Sequence, residues 1–146
     1  MTFQLVEPIL LIGLGGVGAR LAEKAKKSLN SDCLLISHDQ KDLTIENSIK
    51  ISTKSVVNPS THLIRGSTLE TSDEIKKNIA NYSTVILMSN LAGKAGTGIG
   101  PIVSKICKQE QKNLLSFVVM PFKFEKERIF QSGIALKRIR QDSQCT

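Results

Sequence analysis

The chain has 146 residues, of which 40% are apolar and 23% charged, with a formal net charge of +7. That is enough chain for one domain burying about two-thirds of its unfolded surface. Apolar runs such as 9–12 and 85–88 are far too short to cross a bilayer, so no membrane segment is expected. The opening residues, 1–8, include acidic Glu7 and no basic stretch, which argues against a secretion signal. Cys33, Cys107 and Cys145 are widely spaced without a CxxC pattern. Neither a disulfide framework nor a zinc or other metal site is therefore expected, and a reducing cytoplasm is the expected compartment. The charge is uneven: residues 1–100 carry eleven Lys/Arg against nine Asp/Glu, and 101–146 carry nine against four. Such a basic third suits a phosphate-rich ligand or an acidic partner, or is simply a solvated helix face. Without interleaved aromatics or a helix-turn-helix pattern, no specific nucleic-acid role is expected.

Strand and helix signals alternate along the whole chain. Pro8-Ile9-Leu10-Leu11-Ile12 is the continuous apolar run of a strand covered on both faces. It leads into Gly13-Leu14-Gly15-Gly16-Val17-Gly18, read as a loop. A helix is expected over 19–29, with Leu21, Ala22, Ala25 and Leu29 on one face. Asn30-Ser31-Asp32 breaks it before a second strand over 33–36. Alternation in Ile49-Lys50-Ile51-Ser52 fits a half-exposed strand, Asn58-Pro59-Ser60 a turn, and irregular structure is expected from there to Thr71. Acidic residues after Ser72 mark a helix running to about residue 81. Thr84-Val85-Ile86-Leu87-Met88 reads as a central strand, and 90–100 as a second glycine-rich loop. Pro101 fits the first position of the next helix, where its missing N–H matters least. Ile102, Val103, Ile106 and Cys107 share one face of it. A strand over 114–120, a loop over 121–125 and a basic helix over 126–140 that buries Ile129, Phe130, Leu136 and Ile139 complete the pattern. This alternation specifies an α/β fold, a Rossmann-like parallel sheet with helices on both faces.

The chemistry is concentrated in the two glycine segments. A glycine-rich turn between a buried strand and a helix brings backbone N–H groups and a helix dipole to one spot, an anion site. Taken alone, Gly13-x-Gly15-x-x-Gly18 also satisfies the dinucleotide fingerprint and resembles the loop of adenylating enzymes; a tight strand–helix turn is the bland reading. The second segment, Ala92-Gly93-Lys94-Ala95-Gly96-Thr97-Gly98, repeats the arrangement. A dinucleotide fold has no use for it, whereas a nucleoside di- or triphosphate held between two strand ends does. Neither segment is a Walker loop, because neither closes on Gly-Lys-Ser/Thr.

At this point the chain resembles the tubulin/FtsZ superfamily, on the FtsZ side. Ala92-Gly93-Lys94-Ala95-Gly96-Thr97-Gly98-Ile99-Gly100-Pro101 is similar to the signature loop Gly-Gly-Gly-Thr-Gly-Thr-Gly-Ala-Ala-Pro. Pro121-Phe122-Lys123-Phe124-Glu125 resembles the fifth loop, Pro-Phe-x-Phe-Glu. Ile36-Ser37-His38-Asp39-Gln40 resembles the second loop, and residues 13–20 the first. The four motifs occur in family order and spacing. The resemblance implies GTP or GDP with Mg2+, bound by Gly15, Gly16 and Gly18 of the first loop and Gly93, Lys94, Ala95, Gly96, Thr97 and Gly98 of the fourth. Thr97 would add a hydroxyl to phosphate or cap a helix. Asp39 would approach the metal-hydrated phosphate side or form an Asx-turn. Glu125 would accept from a ribose hydroxyl or serve as a helix N-terminal charge.

Several positions depart from the family pattern. Arg20 replaces an asparagine and either neutralises phosphate or is solvated. Lys94 and Ala95 stand where FtsZ has Gly and Thr. The third loop has only Arg65-Gly66-Ser67 as a remnant, and the fifth loop's arginine position holds Ile129, one residue after Arg128. His38 and His62 are isolated, so no catalytic base is assigned. The substitutions suggest a divergent prokaryotic, archaeal-type lineage. The resemblance stops at Cys145-Thr146, where the family begins another buried strand. The expectation is a single GTP-binding domain over 1–146, incomplete at its C-terminus. It would be FtsZ-like and cytoskeletal, self-associating or partnering a full-length relative that completes hydrolysis. The alternatives are a Rossmann-type dinucleotide or adenylating domain, with Asp39 on the ribose, and a non-enzymatic interaction module.

Overall fold

A computed structural model describes residues 5–54, 56–122 and 126–146 of the chain. Among them are strands β1 (Ile9–Leu14), β2 (Asp32–Ser37), β3 (Ser48–Lys50), β4 (Thr84–Asn90) and β5 (Asn113–Val119). The helices are α1 (Gly15–Leu29), α2 (Thr61–Glu70), α3 (Ser72–Ile79), α4 (Lys94–Gln109) and α5 (Lys126–Asp142), with a 3-10 turn at Gln40–Asp42. The strands form one parallel sheet in the order β3-β2-β1-β4-β5. The expected α/β architecture is what forms. From β1 the chain winds outward to β3 and then returns to β4 on the other side. The order therefore reverses between β1 and β4, the kind of switch point at which open α/β sheets bind ligands. Leu14 is paired with Ser89, so β1 and β4 end nearly level and the helices that follow them start side by side.

Strand alternation divides the core in two. Leu10, Ile12, Leu14, Leu34, Ile36, Val85 and Leu87 face α2, α3 and α4, meeting Ile64, Ile75, Ile79, Ile99, Val103 and Ile106. Leu11, Leu35 and Ile86 point the other way and meet Ala19 and Ala22 of α1. Both faces of β1 are buried, which is why its sequence is a continuous apolar run rather than an alternating one. No helix among the described residues is long and apolar enough to cross a membrane.

Four expectations about local structure are corrected. Helix α1 begins at Gly15, not at residue 19, and Leu21 and Leu29 of its expected apolar face are exposed. The cause is close approach: a Cβ at Gly18 would stand 2.4 Å from the Met88 carbonyl oxygen, so small residues form the buried stripe. Residues 61–70 are helix α2 rather than irregular chain. The Ser60 hydroxyl caps it by accepting from the Leu63 N–H at 3.1 Å. Its buried face is Ile64, Ser67 and Thr68, too polar to show as an apolar period.

The second glycine segment is likewise mostly helix. α4 begins at Lys94, which leaves Pro101 inside the helix instead of at its start. α5 buries Ser132, Ala135 and Ile139, while Phe130 is exposed and Ile129 and Leu136 are half-buried. Small side chains let α5 settle against Leu91, whose carbonyl accepts from the Ser132 hydroxyl. Residues at the far end return to the sheet: Cys145 makes a parallel bridge to Leu115, and the Ser116 N–H donates to the Cys145 carbonyl at 2.9 Å.

Candidate functional site

Two helix N-termini meet at the C-terminal edge of β1 and β4. α1 follows β1 without an intervening residue, made possible by Gly15 at φ +68°, a conformation unfavourable with a side chain. Three residues separate α4 from β4, the last of them Gly93, the N-cap, in extended conformation. No side chain caps either helix. The opening N–H groups of a helix have no intrahelical acceptor; in α4 the Thr97 N–H bonds back to the Gly93 carbonyl at 3.2 Å. The two ends touch, since a Cβ at Gly15 would lie 2.9 Å from the Ala95 Cβ. Each end carries about half an elementary positive charge, so their junction is a place for an anion.

Two cations and a carboxylate border this junction. The Arg20 Nε donates to the Gly16 carbonyl at 3.2 Å, folding the guanidinium back over the first turn of α1. The exposed Lys94 donates from Nζ to Asn58 Oδ1 at 2.7 Å, tying the 56–60 segment to the start of α4. On the other side Asp42 accepts from the Ser37 hydroxyl at 2.7 Å, and its Oδ1 would be 2.9 Å from a Cβ at Gly16. Asp39 is exposed; its Oδ1 accepts from the Lys41 N–H at 3.0 Å, capping the 3-10 turn. That is the Asx-turn alternative, and Ser37, bonded to the Asp39 N–H at 3.1 Å, joins it to Asp42. A cleft of about 230 Å³ lies here, lined by Gly16, Arg20, Glu23, Lys41, Asp42 and Thr44.

The candidate residues thus separate into those at the junction and those behind it. Gly15, Gly16, Arg20, Gly93, Lys94 and Ala95 come together. Gly18 and Gly96 lie in the first turn of their helices and Gly98 in the second, all three buried. Packing explains their lack of a side chain: a Cβ at Gly96 would meet the Asn90 carbonyl oxygen at 2.1 Å, and one at Gly98 the Ile64 side chain at 2.9 Å. Thr97 is not an N-cap. It is buried, and its hydroxyl donates within α4 to the Gly93 and Lys94 carbonyls at 3.1 and 3.3 Å. Glu125 lies outside the described residues. Arg65-Gly66-Ser67 belongs to α2, so it is not a third loop; Asn58 is the residue that reaches the start of α4.

Sequence reasoning missed Asp42, Asn58 and Asn90. Asn90 Oδ1 accepts from the Ala92 N–H at 3.0 Å and shapes the turn into α4. Its position between an apolar strand and a glycine run was the available signal. Asp42 and Asn58 were hidden by the stretch of least periodic sequence.

Residues 62–146 match the model of the tubulin/FtsZ family, GTPase domain. Cell division protein FtsZ 2 of Halobacterium salinarum is 26% identical over 147 residues, a span of 91% of this chain and 36% of the relative. FtsZ of Mycoplasmopsis pulmonis is 36% identical over 73 residues, 48% of this chain and 19% of that protein. Among solved structures, an empty FtsZ dimer from M. jannaschii superposes with a TM-score of 0.82 at 25% identity, covering 92% of this chain and 42% of that one. CetZ2 of Haloferax volcanii shares the fold, with a TM-score of 0.78 at 17% identity. The chain therefore spans about a third to two-fifths of the length of the relatives that it matches along most of its own. The family model's stretch includes the second glycine segment, and the helix starts that both segments form stand on a sheet with the fold of the FtsZ structure; this chain belongs to the tubulin/FtsZ family, by its GTPase domain.

Proposed function

We propose that the chain binds the phosphates of a guanine nucleotide between the N-termini of α1 and α4. The observation that carries this reading is the contact of two uncapped helix starts, Gly15 against Ala95, at the sheet's switch point. Backbone N–H groups of Gly15, Gly16, Lys94 and Ala95 would cradle the phosphates, with Arg20 and Lys94 balancing charge at the rim. Gly18, Gly96 and Gly98 act one step back, by allowing those helix starts to sit where they do. Mg2+ would enter with the nucleotide; Asp42 and Asp39, beside Gly16 and Ser37, are placed to accept from its hydration shell. Family membership supports guanine as the base. The Haloferax CetZ2 structure, which shares the fold, is a GTPγS-bound protofilament; a nucleotide-dependent assembly in the cytoplasm is the corresponding proposal for this chain.

Hydrolysis and polymerisation belong to a larger unit. Asp39 and Asp42 are assigned to the metal-hydrated side, and no residue of this chain is assigned as a general base for the attacking water. The catalytic complement would come from a second family member, in keeping with an FtsZ-like role in cell division.

Gly93→Asp is the decisive variant, because structure and ligand respond oppositely. An aspartate suits an N-cap and the backbone there is extended, with the nearest contact of a Cβ at 3.7 Å. The fold should be at least as stable as wild type, while a carboxylate at the phosphate position repels the ligand. In titrations with fluorescent GTP and ATP analogues, with and without Mg2+, saturable GTP binding should weaken tenfold or more in the variant. Equal binding by the two proteins would refute the site, and preference for ATP would refute the base assignment.

A further inference from the structure

Helix α1 carries more positive charge than its own stability calls for. Arg20, Lys24, Lys26 and Lys27 are exposed on it, against one acid, Glu23. Lys26 and Lys27 stand in the last turn, where cations suit the negative end of the helix dipole. Lys24 has no such reason. With Arg20 and Lys27 it forms a stripe at i, i+4 and i+7, about 10 Å long, in which like charges are neighbours at a small cost to the helix.

The stripe borders a built cleft. About 590 Å³ of space lies between these cations and Ile45, within the roughly 300–1,000 Å³ range of ligand sites. The wall carrying Ile45 is fixed beside β2: the Asn47 side-chain N–H donates to the Cys33 carbonyl at 2.9 Å, and the Asn47 carbonyl accepts from the Leu35 N–H at 3.2 Å. Glu23, the one acid among the described lining residues, is engaged by the Thr44 hydroxyl. No ion pair among the described residues involves any of the four cations. The cleft is therefore preformed and its charge is unspent, which calls for an anionic occupant.

The end of the helix selects the kind of anion. Asn30, the left-handed C-cap, also lines the cleft, and its N–H donates to the Lys26 carbonyl at 2.9 Å. The carbonyls of Lys27, Ser28 and Leu29 receive no hydrogen bond from the described residues. A phosphate brings only negative acceptor oxygens to this end, whereas a polypeptide brings N–H donors for the carbonyls and carboxylates for the lysines. No aromatic side chain is among the described lining residues, so nucleic-acid bases have no stacking platform.

We infer that this cleft docks an acidic peptide segment of a partner protein, with its carboxylates on Arg20, Lys24 and Lys27 and its N–H groups on the last carbonyls of α1. Arg20 and Glu23 also line the smaller cleft at Gly16, so the docked segment lies beside the proposed nucleotide site without depending on it.

Fluorescence anisotropy with a labelled alternating Glu-Gly peptide tests the docking, beside the matching Gln-Gly peptide and an oligothymidylate. The chain should bind the Glu-Gly peptide saturably, more weakly as salt rises, and the Gln-Gly peptide not at all. K24Q/K27Q should weaken binding about tenfold or more. K76Q/K77Q, which removes the same charge from α3, should change it less than about twofold. Lys24 and Lys27 are exposed, so their variant keeps the fold, as its backbone amide spectrum would verify. Equal losses in the two double variants, or no saturable binding, would overturn the site in favour of diffuse charge. Oligothymidylate bound as tightly, with the same dependence on Lys24 and Lys27, would overturn the choice of a polypeptide.

Discussion

The glycine-rich segments at 13–18 and 92–101 read alike in sequence but use glycine differently. In the first, Gly15 is needed for its positive φ, which lets α1 start directly from β1. Gly13 and Gly18 are needed for space, since side chains there would strike backbone at 2.5 and 2.4 Å. In the second segment no glycine has a positive φ, and Gly96, Gly98 and Gly100 are helical residues pressed against Asn90, Ile64 and Ile139. Only Gly93 stands at the open start of that helix. A run of glycines thus marks where two elements must come close, and few positions in it have room for a side chain: Gly93, with its nearest contact at 3.7 Å, and Gly16, which meets only side-chain ends.

Substitution by alanine would break or sharpen this distinction. The largest effect is expected at Gly96, where a Cβ would be 2.1 Å from a carbonyl oxygen that cannot move without the strand. Gly96→Ala should lose about 3 kcal/mol in urea unfolding, the upper range for overpacking. Gly93→Ala, in ordinary contact at 3.7 Å, should lose about 1 kcal/mol or less. Equal losses would remove the difference between packing and open glycines. In the first segment, Gly15→Ala should cost about 2 kcal/mol from its left-handed backbone. Gly16→Ala should be nearly neutral, because what it meets is the flexible end of Asp42. A Gly16 effect as large as that of Gly15 would place strain where the structure has none.

A smaller effect is expected next to the second segment. Ser60→Ala removes the cap of α2, the helix whose Ile64 fills the notch over Gly98, and should cost about 1 kcal/mol in the same assay. No change would mean that α2 is held by packing alone.

The smallest effect is expected at the opposite end of the sheet. The Tyr82 hydroxyl donates to Asp32 Oδ2 at 2.6 Å, and this hydrogen bond, then burial and the Asp32 charge, raise its pKa to about 12. Because the protonated form is favoured on folding, the contribution is present below the unfolded value of about 10 and is lost between there and about 12. Tyr82 is the sole tyrosine and there is no tryptophan, so absorbance at 295 nm follows it alone. A midpoint near 10 in the folded chain would show that the bond does not form.

The strands were readable because β1, β2, β4 and β5 are apolar runs that need no period to be recognised. The junction was readable in part, because a strand followed by glycine and then helix implies an anion site whichever residues finally line it. α2 was not readable, since serine and threonine occupy its buried face and satisfy their hydroxyls locally, Thr68 by donating to the Ile64 carbonyl at 2.7 Å. The early start of α4 was hidden by glycine's low helix propensity, which tertiary contacts override. Asp42 was obscure because it reaches Gly16 only through the fold.

Backbone amide NMR during a titration with GDP and Mg2+ tests the central claim most directly. The expected result is saturable shifts largest at Gly15, Gly16, Lys94 and Ala95, with both helix starts moving at one common affinity. Shifts confined to the larger cleft along α1, at Lys24, Lys27 and Asn30, would contradict a phosphate site between the two helices, as would a folded chain with no shifts at all.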